Sequence, residues 1–176
     1  MLVASLVFRG LWISHEQSVV QTTLTARNLS TVLKSNLEFS GRSIDLALQG
    51  IGEALESKLK LGPLDDSEVE ALLEVKSKFH LEVTTFRVSK PNGIVWWGNG
   101  VDRSNPVSAA GRDYFAYHLA NPGVSLIVTP PLVGSVTKQS VIAFVRSFRY
   151  PDGRFAGVIT ASVPVTYFNQ LLSKLE

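Results

Sequence analysis

The chain has 176 residues, the length of one domain or slightly more, which is enough to bury about two-thirds of the surface that the unfolded chain exposes. With 45% apolar residues, this length excludes an intrinsically disordered protein. Charged residues make up 18%, below the ~25% of a typical soluble domain, and the mean hydropathy is +0.16. The absence of cysteine excludes a disulfide framework, a thiolate zinc site and a cysteine nucleophile.

The net charge of +2 and the pI of about 9.0 conceal an uneven distribution. Residues 1–80 hold eight Lys and Arg against ten Asp and Glu, whereas residues 81–176 hold nine against five. The basic residues of the second half are dispersed singly, and binding to a phosphate backbone usually needs a clustered stripe. We therefore predict no nucleic-acid partner. A pocket for a small anion fits isolated arginines better, although solvated surface charge is their commoner role.

The first fourteen residues, MLVASLVFRGLWIS, are apolar at ten positions, with Arg9 as their only charge. They are shorter than the ~20 residues that span a bilayer, and they lack the cleavage site of a signal peptide. We interpret residues 1–14 as the end of a transmembrane helix. The alternative is the apolar first turn of an ordinary helix.

A long helix is predicted over residues 15–60, because proline is absent and apolar residues recur at spacings of three, four and seven. Its length exceeds what a small domain needs for its own core, so part of it is expected to form a stalk or a homodimer contact. From Leu37 onward, a helix packed lengthwise on its own sheet explains the pattern equally well.

Residues 61–176 are predicted to form an α+β module with an antiparallel five-stranded sheet flanked by helices. A second helix begins near a capping box formed by Ser67 and Glu70, with Phe79 on its buried face. Strands are predicted over 81–88, 94–97, 125–129, 140–149 and 154–163, a short helix over 112–120 and a closing helix over 165–175.

Enzyme motifs are missing from the sequence. His15, His80 and His118 are far apart and lack metal-binding spacing, and there is no GxxxxGK[ST] loop, GxGxxG loop or GxSxG elbow. We predict that this chain is not an enzyme and has no metal or other cofactor.

A binding function is indicated instead by arginine and aromatic residues. Arg112 and Tyr114 open the short helix and suit the grip of a carboxylate against a ring. Arg146 shares one face of its predicted strand with apolar residues. Because a buried charge is costly without a partner, it needs either a ligand or an internal acid such as Asp113. Trp96 and Trp97 fit the core better than a ligand wall, and alternation lets only one of them face a given side.

Five segments together resemble the Cache family of extracytoplasmic PAS-like sensor domains, especially those that precede diguanylate cyclase or histidine kinase modules. They are GRDYF (111–115), IVTPPLVG (127–134), VR (145–146), DGRFAGVI (152–159) and VTYF (165–168). The resemblance covers residue 15 to the end. It implies a PAS-like sheet on the periplasmic or extracellular side of the inner (cell) membrane, anchored by flanking transmembrane helices and passing a signal to a GGDEF or histidine kinase output module.

The resemblance carries over to the site only in part. Arg112 and Tyr114 match the arginine and aromatic that hold the ligand carboxylate in amino-acid-binding Cache sensors. The acid that grips the ligand amine has no counterpart, because the corresponding stretch reads TASV (160–163). An organic acid, an amino acid or no soluble ligand therefore remain open. The candidate ligand-binding residues are Arg112, Tyr114, Phe115, Arg146, Trp96, Lys138 and Ser162.

Two hypotheses follow for this chain. The first is a ligand-binding sensor module, and the second is a structural or dimerisation spacer in which the arginines are paired internally.

Overall fold

The computed structural model describes residues 31–32, 34–121 and 125–173. The predicted membrane stub, residues 1–14, and the predicted helix up to residue 30 lie outside this part. Among the described residues, no helix has both the length and the apolarity that a bilayer crossing requires. Gly41–Gln170 form one compact unit. Of the second unit, Met1–Ser40 with Leu171–Glu176, the described residues are helical.

Helices α1 (34–59) and α2 (Asp66–Phe79) precede the sheet. The elements that follow are β1 (Thr85–Ser89), β2 (Val95–Gly98), α3 (Asp113–Ala120), β3 (Ile127–Val128), β4 (Leu132–Val133), β5 (Ser140–Arg149), β6 (Phe155–Pro164) and α4 (Val165–Ser173). The strand order is β2-β1-β6-β5-β3, with β4 also paired to β5, and every pairing is antiparallel. The predicted α+β class is confirmed, and β4 adds a sixth, two-residue strand to the five predicted.

One face of the sheet, here called the helix face, packs against α1 and α2. Helix α1 buries residues spaced by three and four along its length, which are Ile44, Ala47, Leu48, Ile51 and Leu55. They join Phe86, Phe144 and Ile159 of the sheet in one core. From residue 41 onward, α1 therefore packs lengthwise on its own sheet.

Helix α2 begins differently from the prediction. The Oδ1 atom of Asp65 accepts a hydrogen bond from the Glu68 backbone N–H at 3.0 Å, which makes Asp65 the N-cap in place of Ser67. Val69 and Leu73 are buried as expected, but Phe79 in the last turn is 78% exposed. The strand predicted from residue 81 starts only at Thr85, and Leu81 is exposed.

The opposite face, here called the pocket face, carries α3 and a smaller core. Its buried residues are Val95, Ala109, Phe115, Ala143, Val145 and Val158. Successive strand residues alternate between the two faces. Phe86 and Val88 of β1 lie on the helix face, so Thr85, Arg87 and Ser89 lie on the pocket face. Strand β1 therefore has polar side chains on the pocket face.

Candidate functional site

A small pocket of about 40 Å³ lies on the pocket face between the sheet, the start of α3 and the segment after β4. Its lining residues are Arg87, Val95, Arg112, Tyr114, Leu132, Gly134, Ser135, Val136, Val141, Ala143, Thr160 and Ser162. The predicted candidates Arg112, Tyr114 and Ser162 are thus brought together. This volume is close to that of one water molecule.

Arg112 is the N-cap residue of α3, with an extended backbone and no side-chain capping bond. Its Nη2 atom donates to the Val133 carbonyl at 3.0 Å and to the Ser135 hydroxyl at 2.7 Å. Among the described residues, no carboxylate forms an ion pair with this guanidinium. Arg112 therefore ties the pocket wall to α3 through neutral acceptors.

Tyr114, Thr160 and Ser162 provide hydroxyl groups to the same pocket. Burial raises the pKa of Tyr114, although Arg112 and Arg87 oppose that shift. The phenol consequently stays neutral at physiological pH and retains a proton to donate. Thr160 and Ser162 occupy the stretch of β6 where the family resemblance would place an acid for a ligand amine.

Arg87 was not among the predicted candidates, yet it lies in the centre of the pocket wall. It pairs with Gly98 of β2 on one side and with Thr160 of β6 on the other. A Cβ atom on Gly98, whose φ is 120°, would clash first with the Phe86 carbonyl oxygen and would also lie 2.9 Å from Arg87 Cγ, so the close approach of β1 requires glycine here.

The charge of Arg87 is poorly compensated. Only 8% of the residue is exposed, and its Nη2 atom donates to the Asn99 carbonyl at 3.0 Å. The buried Nε atom has no hydrogen-bond partner, and no described carboxylate forms an ion pair with this residue. Burial lowers the pKa of Arg87, with Tyr114 opposing the shift, but an arginine stays protonated at any physiological pH. The alternation of β1 is a sequence signal that locates Arg87, because it places a charge on an inward face.

Arg146 does not belong to this pocket. It lies on the helix face of β5, where its Nε and Nη2 atoms donate to the two carboxylate oxygens of Asp45 at 2.6 and 3.0 Å. An internal acid is thus its partner, but the acid comes from α1 and is not Asp113. The placement of Arg146 beside Arg112 is wrong, because the two side chains lie on opposite faces of the sheet.

Phe115 and Lys138 lie beside the pocket. Phe115 is buried in the core, and its ring contacts Phe155 edge-on with centroids 5.4 Å apart. Lys138 has a φ of 58° and lines a neighbouring cavity of about 220 Å³, which shares Val95, Ser135 and Val136 with the pocket. The two cavities therefore adjoin at Val95 of β2 and at the segment after β4.

Trp96 lies away from the pocket in a groove of about 630 Å³ between α2 and the β1–β2 and β5–β6 hairpins. A bulge leaves Trp96 opposite no residue of β1, so it does not alternate with Trp97. Both indole N–H groups donate to Asp66 Oδ1, at 3.2 and 2.8 Å. The prediction that only one tryptophan can face a given side is therefore wrong.

The charged groups of this groove already have partners. Arg103 donates to Asp66 Oδ2 at 3.0 Å, and Lys90 Nζ lies 3.3 Å from the centre of the Trp96 ring. Although the groove is larger than the pocket, its charged side chains already have partners within the protein, so none of them needs a ligand to compensate its charge. In the part of the chain that the structure describes, no cluster of three His, Asp or Glu residues suits a metal ion.

Comparison with known proteins shows similarity in fold. No protein-family model matches this sequence, and no curated protein does. Among solved structures, the extracellular domain of a protein described as a histidine kinase superposes with a TM-score of 0.75 at 21% identity, over 85% of this chain and 60% of that one. An extracellular ligand-binding receptor from Desulfohalobium retbaense superposes with a TM-score of 0.71 at 14% identity, over 84% of this chain and 26% of that one.

The ligand-binding domain of the Pseudomonas aeruginosa amino-acid chemoreceptor PctC, in complex with GABA, gives 0.61 at 20% identity, over 82% of this chain and 62% of that one. This chain thus covers less than two-thirds of the length of each of these three proteins. They are described as an extracellular domain, an extracellular ligand-binding receptor and a ligand-binding domain, respectively. The chain has the fold of extracytoplasmic sensor domains, as the resemblance to the Cache family predicted.

Proposed function

We propose that this chain is the extracytoplasmic sensor domain of a membrane receptor and that it binds a small carboxylate in the pocket around Arg112. The supporting observation is the charge of that pocket. Arg112 and Arg87 line it together, whereas no acidic side chain does. Arg87 is buried and Arg112 is half-buried, so a site with these two cations and no internal acid favours an anionic ligand, because the ligand carboxylate would supply the missing charge-assisted hydrogen bonds.

Ligand entry requires the pocket to widen. Its volume of about 40 Å³ holds little more than a water molecule, but the neighbouring cavity of about 220 Å³ lies behind Ser135 and Val136. We expect the ligand carboxylate to replace Ser135 and the Val133 carbonyl as the partner of Arg112. Releasing these two bonds frees the segment after β4 to move outward and merge the two cavities.

A thermal-shift screen against small carboxylates and amino acids tests the proposal. At a concentration 100 times Kd, a ligand stabilises the folded chain by about 2.7 kcal/mol, which raises Tm by roughly 5–10 °C for a chain of this size. In Arg112→Ala the shift should disappear. Arg146→Met is the matched control, since it removes an arginine from the opposite sheet face. The Tm of this variant without ligand will differ from that of the wild-type chain, but the ligand should raise it by the same amount.

Two results contradict this proposal. One is the absence of a shift with every compound, which favours the spacer hypothesis. The other is an undiminished shift in Arg112→Ala, which removes Arg112 from the site.

We further propose that the receptor is anchored in the inner membrane by helices flanking this domain and that its output module is a GGDEF diguanylate cyclase or a histidine kinase. We also propose that it forms a homodimer through the long N-terminal helix predicted over residues 15–60. The dimer is supported by three apolar side chains spaced by seven residues. Val32, Phe39 and Leu46 are exposed by 54%, 74% and 62%. Seven is the repeat of a coiled coil, which would bury these side chains against a second copy.

A further inference from the structure

We propose that the ligand of this pocket carries two carboxylates and no amine, with Arg87 holding one carboxylate and Arg112 the other. The inference rests on the proposed function, since it specifies the ligand of the same site. Its evidence is a different residue, Arg87, whose guanidinium is buried and incompletely hydrogen-bonded.

Arg87 is a poor choice for stability alone. Burying a charge is costly unless it is paired, and an arginine with five N–H donors needs more than the single Asn99 carbonyl found here. The other buried residues of this sheet are uncharged. They are either apolar, such as Val88, Ala143 and Val158, or carry a hydroxyl group, as do Thr85, Ser89 and Ser162. The unpaired Nε atom therefore marks a donor whose acceptor a ligand would supply.

The remaining polar lining distinguishes between ligand classes. Tyr114, Thr160, Ser135 and Ser162 are neutral hydroxyl groups, and none of the lining residues is acidic. Within this pocket a ligand amine would thus meet two guanidinium groups and no counter-charge. Asp102 lines the neighbouring cavity, but it is exposed and already accepts two hydrogen bonds from Ser104. A ligand with one carboxylate would neutralise one arginine and leave the other as it is in the free protein. Two carboxylates neutralise both.

Isothermal titration calorimetry of the whole 176-residue chain with three four-carbon compounds tests this inference. Succinate has two carboxylates, butyrate has one, and 4-aminobutyrate has an amine in place of the second carboxylate. We expect succinate to bind at least tenfold more tightly than butyrate, and 4-aminobutyrate to bind most weakly. Malonate and glutarate extend the series, so that a mismatch in chain length is recognised as such.

Arg87→Met assigns the second carboxylate. This variant should lose at least tenfold in dicarboxylate affinity, while its affinity for butyrate changes less than twofold because Arg112 is intact. The unliganded variant should melt no lower than the wild-type chain, since it lacks a buried unpaired charge. Arg87→Lys, which retains the charge but loses the fork of donors, should keep part of the dicarboxylate preference and provides a second variant if Arg87→Met fails to fold.

The outcomes separate this inference from the proposed function. If butyrate and the dicarboxylates bind equally and binding needs Arg112, the two-carboxylate inference is overturned while the carboxylate sensor stands. Tighter binding of 4-aminobutyrate than of any dicarboxylate, or an unchanged dicarboxylate preference in Arg87→Met, also overturns it. If none of the compounds binds, the two-carboxylate inference is overturned, and the wider thermal-shift screen decides the proposed function.

Discussion

His118 shows how a single buried side chain couples this fold to pH. It is fully buried on α3, and its Nε2 atom lies 3.1 Å from the Val145 carbonyl. A carbonyl only accepts, so Nε2 carries the proton and donates, which leaves Nδ1 unprotonated. The buried Nδ1 atom has no hydrogen-bond partner. Burial therefore lowers the pKa of His118, despite the opposing bond to Val145 and with a further lowering by Arg146 and Arg149.

The lowered pKa predicts a loss of stability in acid. Below about pH 6.5, the unfolded chain binds a proton at His118 that the folded chain does not, so the free energy of unfolding falls as the pH falls. The Tm should thus decrease between about pH 7.5 and 5.5. In His118→Gln, whose amide can donate to the same carbonyl and does not titrate, the decrease should be smaller. Equal pH dependence of Tm in the two proteins would contradict this assignment.

For individual residues, the sequence predicted the chemical role of a side chain better than the face of the sheet on which it lies. Arg112 and Tyr114 lie in one pocket because both follow from one motif at the start of one helix. Arg146 was misplaced because its alternation with Phe144 and Phe148 shows only that it faces inward, and either face of a sheet covered on both sides satisfies that pattern. The acid that pairs with it, Asp45, is 101 residues away, a distance that no local pattern spans.

Among the elements, the strands and hairpins followed from local signals. Gly93 and Gly153 have φ values of 84° and 83° in the Asn-Gly and Asp-Gly turns that join β1 to β2 and β5 to β6, and both dipeptides are typical turn signals. The bulges could not be predicted, because they depend on which strands pair. At the β5–β6 bulge, Gly157 has a φ of 148°, and a Cβ atom there would lie 1.9 Å from the Ser89 carbonyl oxygen of β1. That constraint comes from strand order rather than from the turn.

Helix α1 provides a prediction about assembly. If Val32, Phe39 and Leu46 pack against a second copy, Phe39→Glu places a charge in the interface and should weaken self-association at least tenfold by analytical ultracentrifugation. Leu37→Glu is the matched control, because residue 37 lies about 200° around the helix from residue 39. This variant should associate like the wild-type chain.

A wild-type chain that stays monomeric up to about 1 mM would contradict the dimer proposal. Equal weakening by the two substitutions would also contradict it, since the effect would then not depend on the spacing of seven.

In the molecule as a whole, we expect the two sheet faces to have different roles. The helix face is occupied by its own core and by the Asp45–Arg146 pair. The pocket face has two arginines that lack a carboxylate partner among the described residues. A ligand in the pocket can pass a signal only through a difference in its affinity for two states of the domain. Release of the segment after β4 from Arg112 is the change that we expect to distinguish those states.

A crystal structure of the chain with the strongest binder from the carboxylate screen tests the central claim most directly. We expect a ligand carboxylate on the pocket face, with oxygen atoms within about 3.2 Å of the Arg112 guanidinium and with the bond from Arg112 to Ser135 broken. A ligand bound in the groove beside Trp96, or one on the pocket face that leaves Arg112 bonded to Ser135 and the Val133 carbonyl, would contradict it.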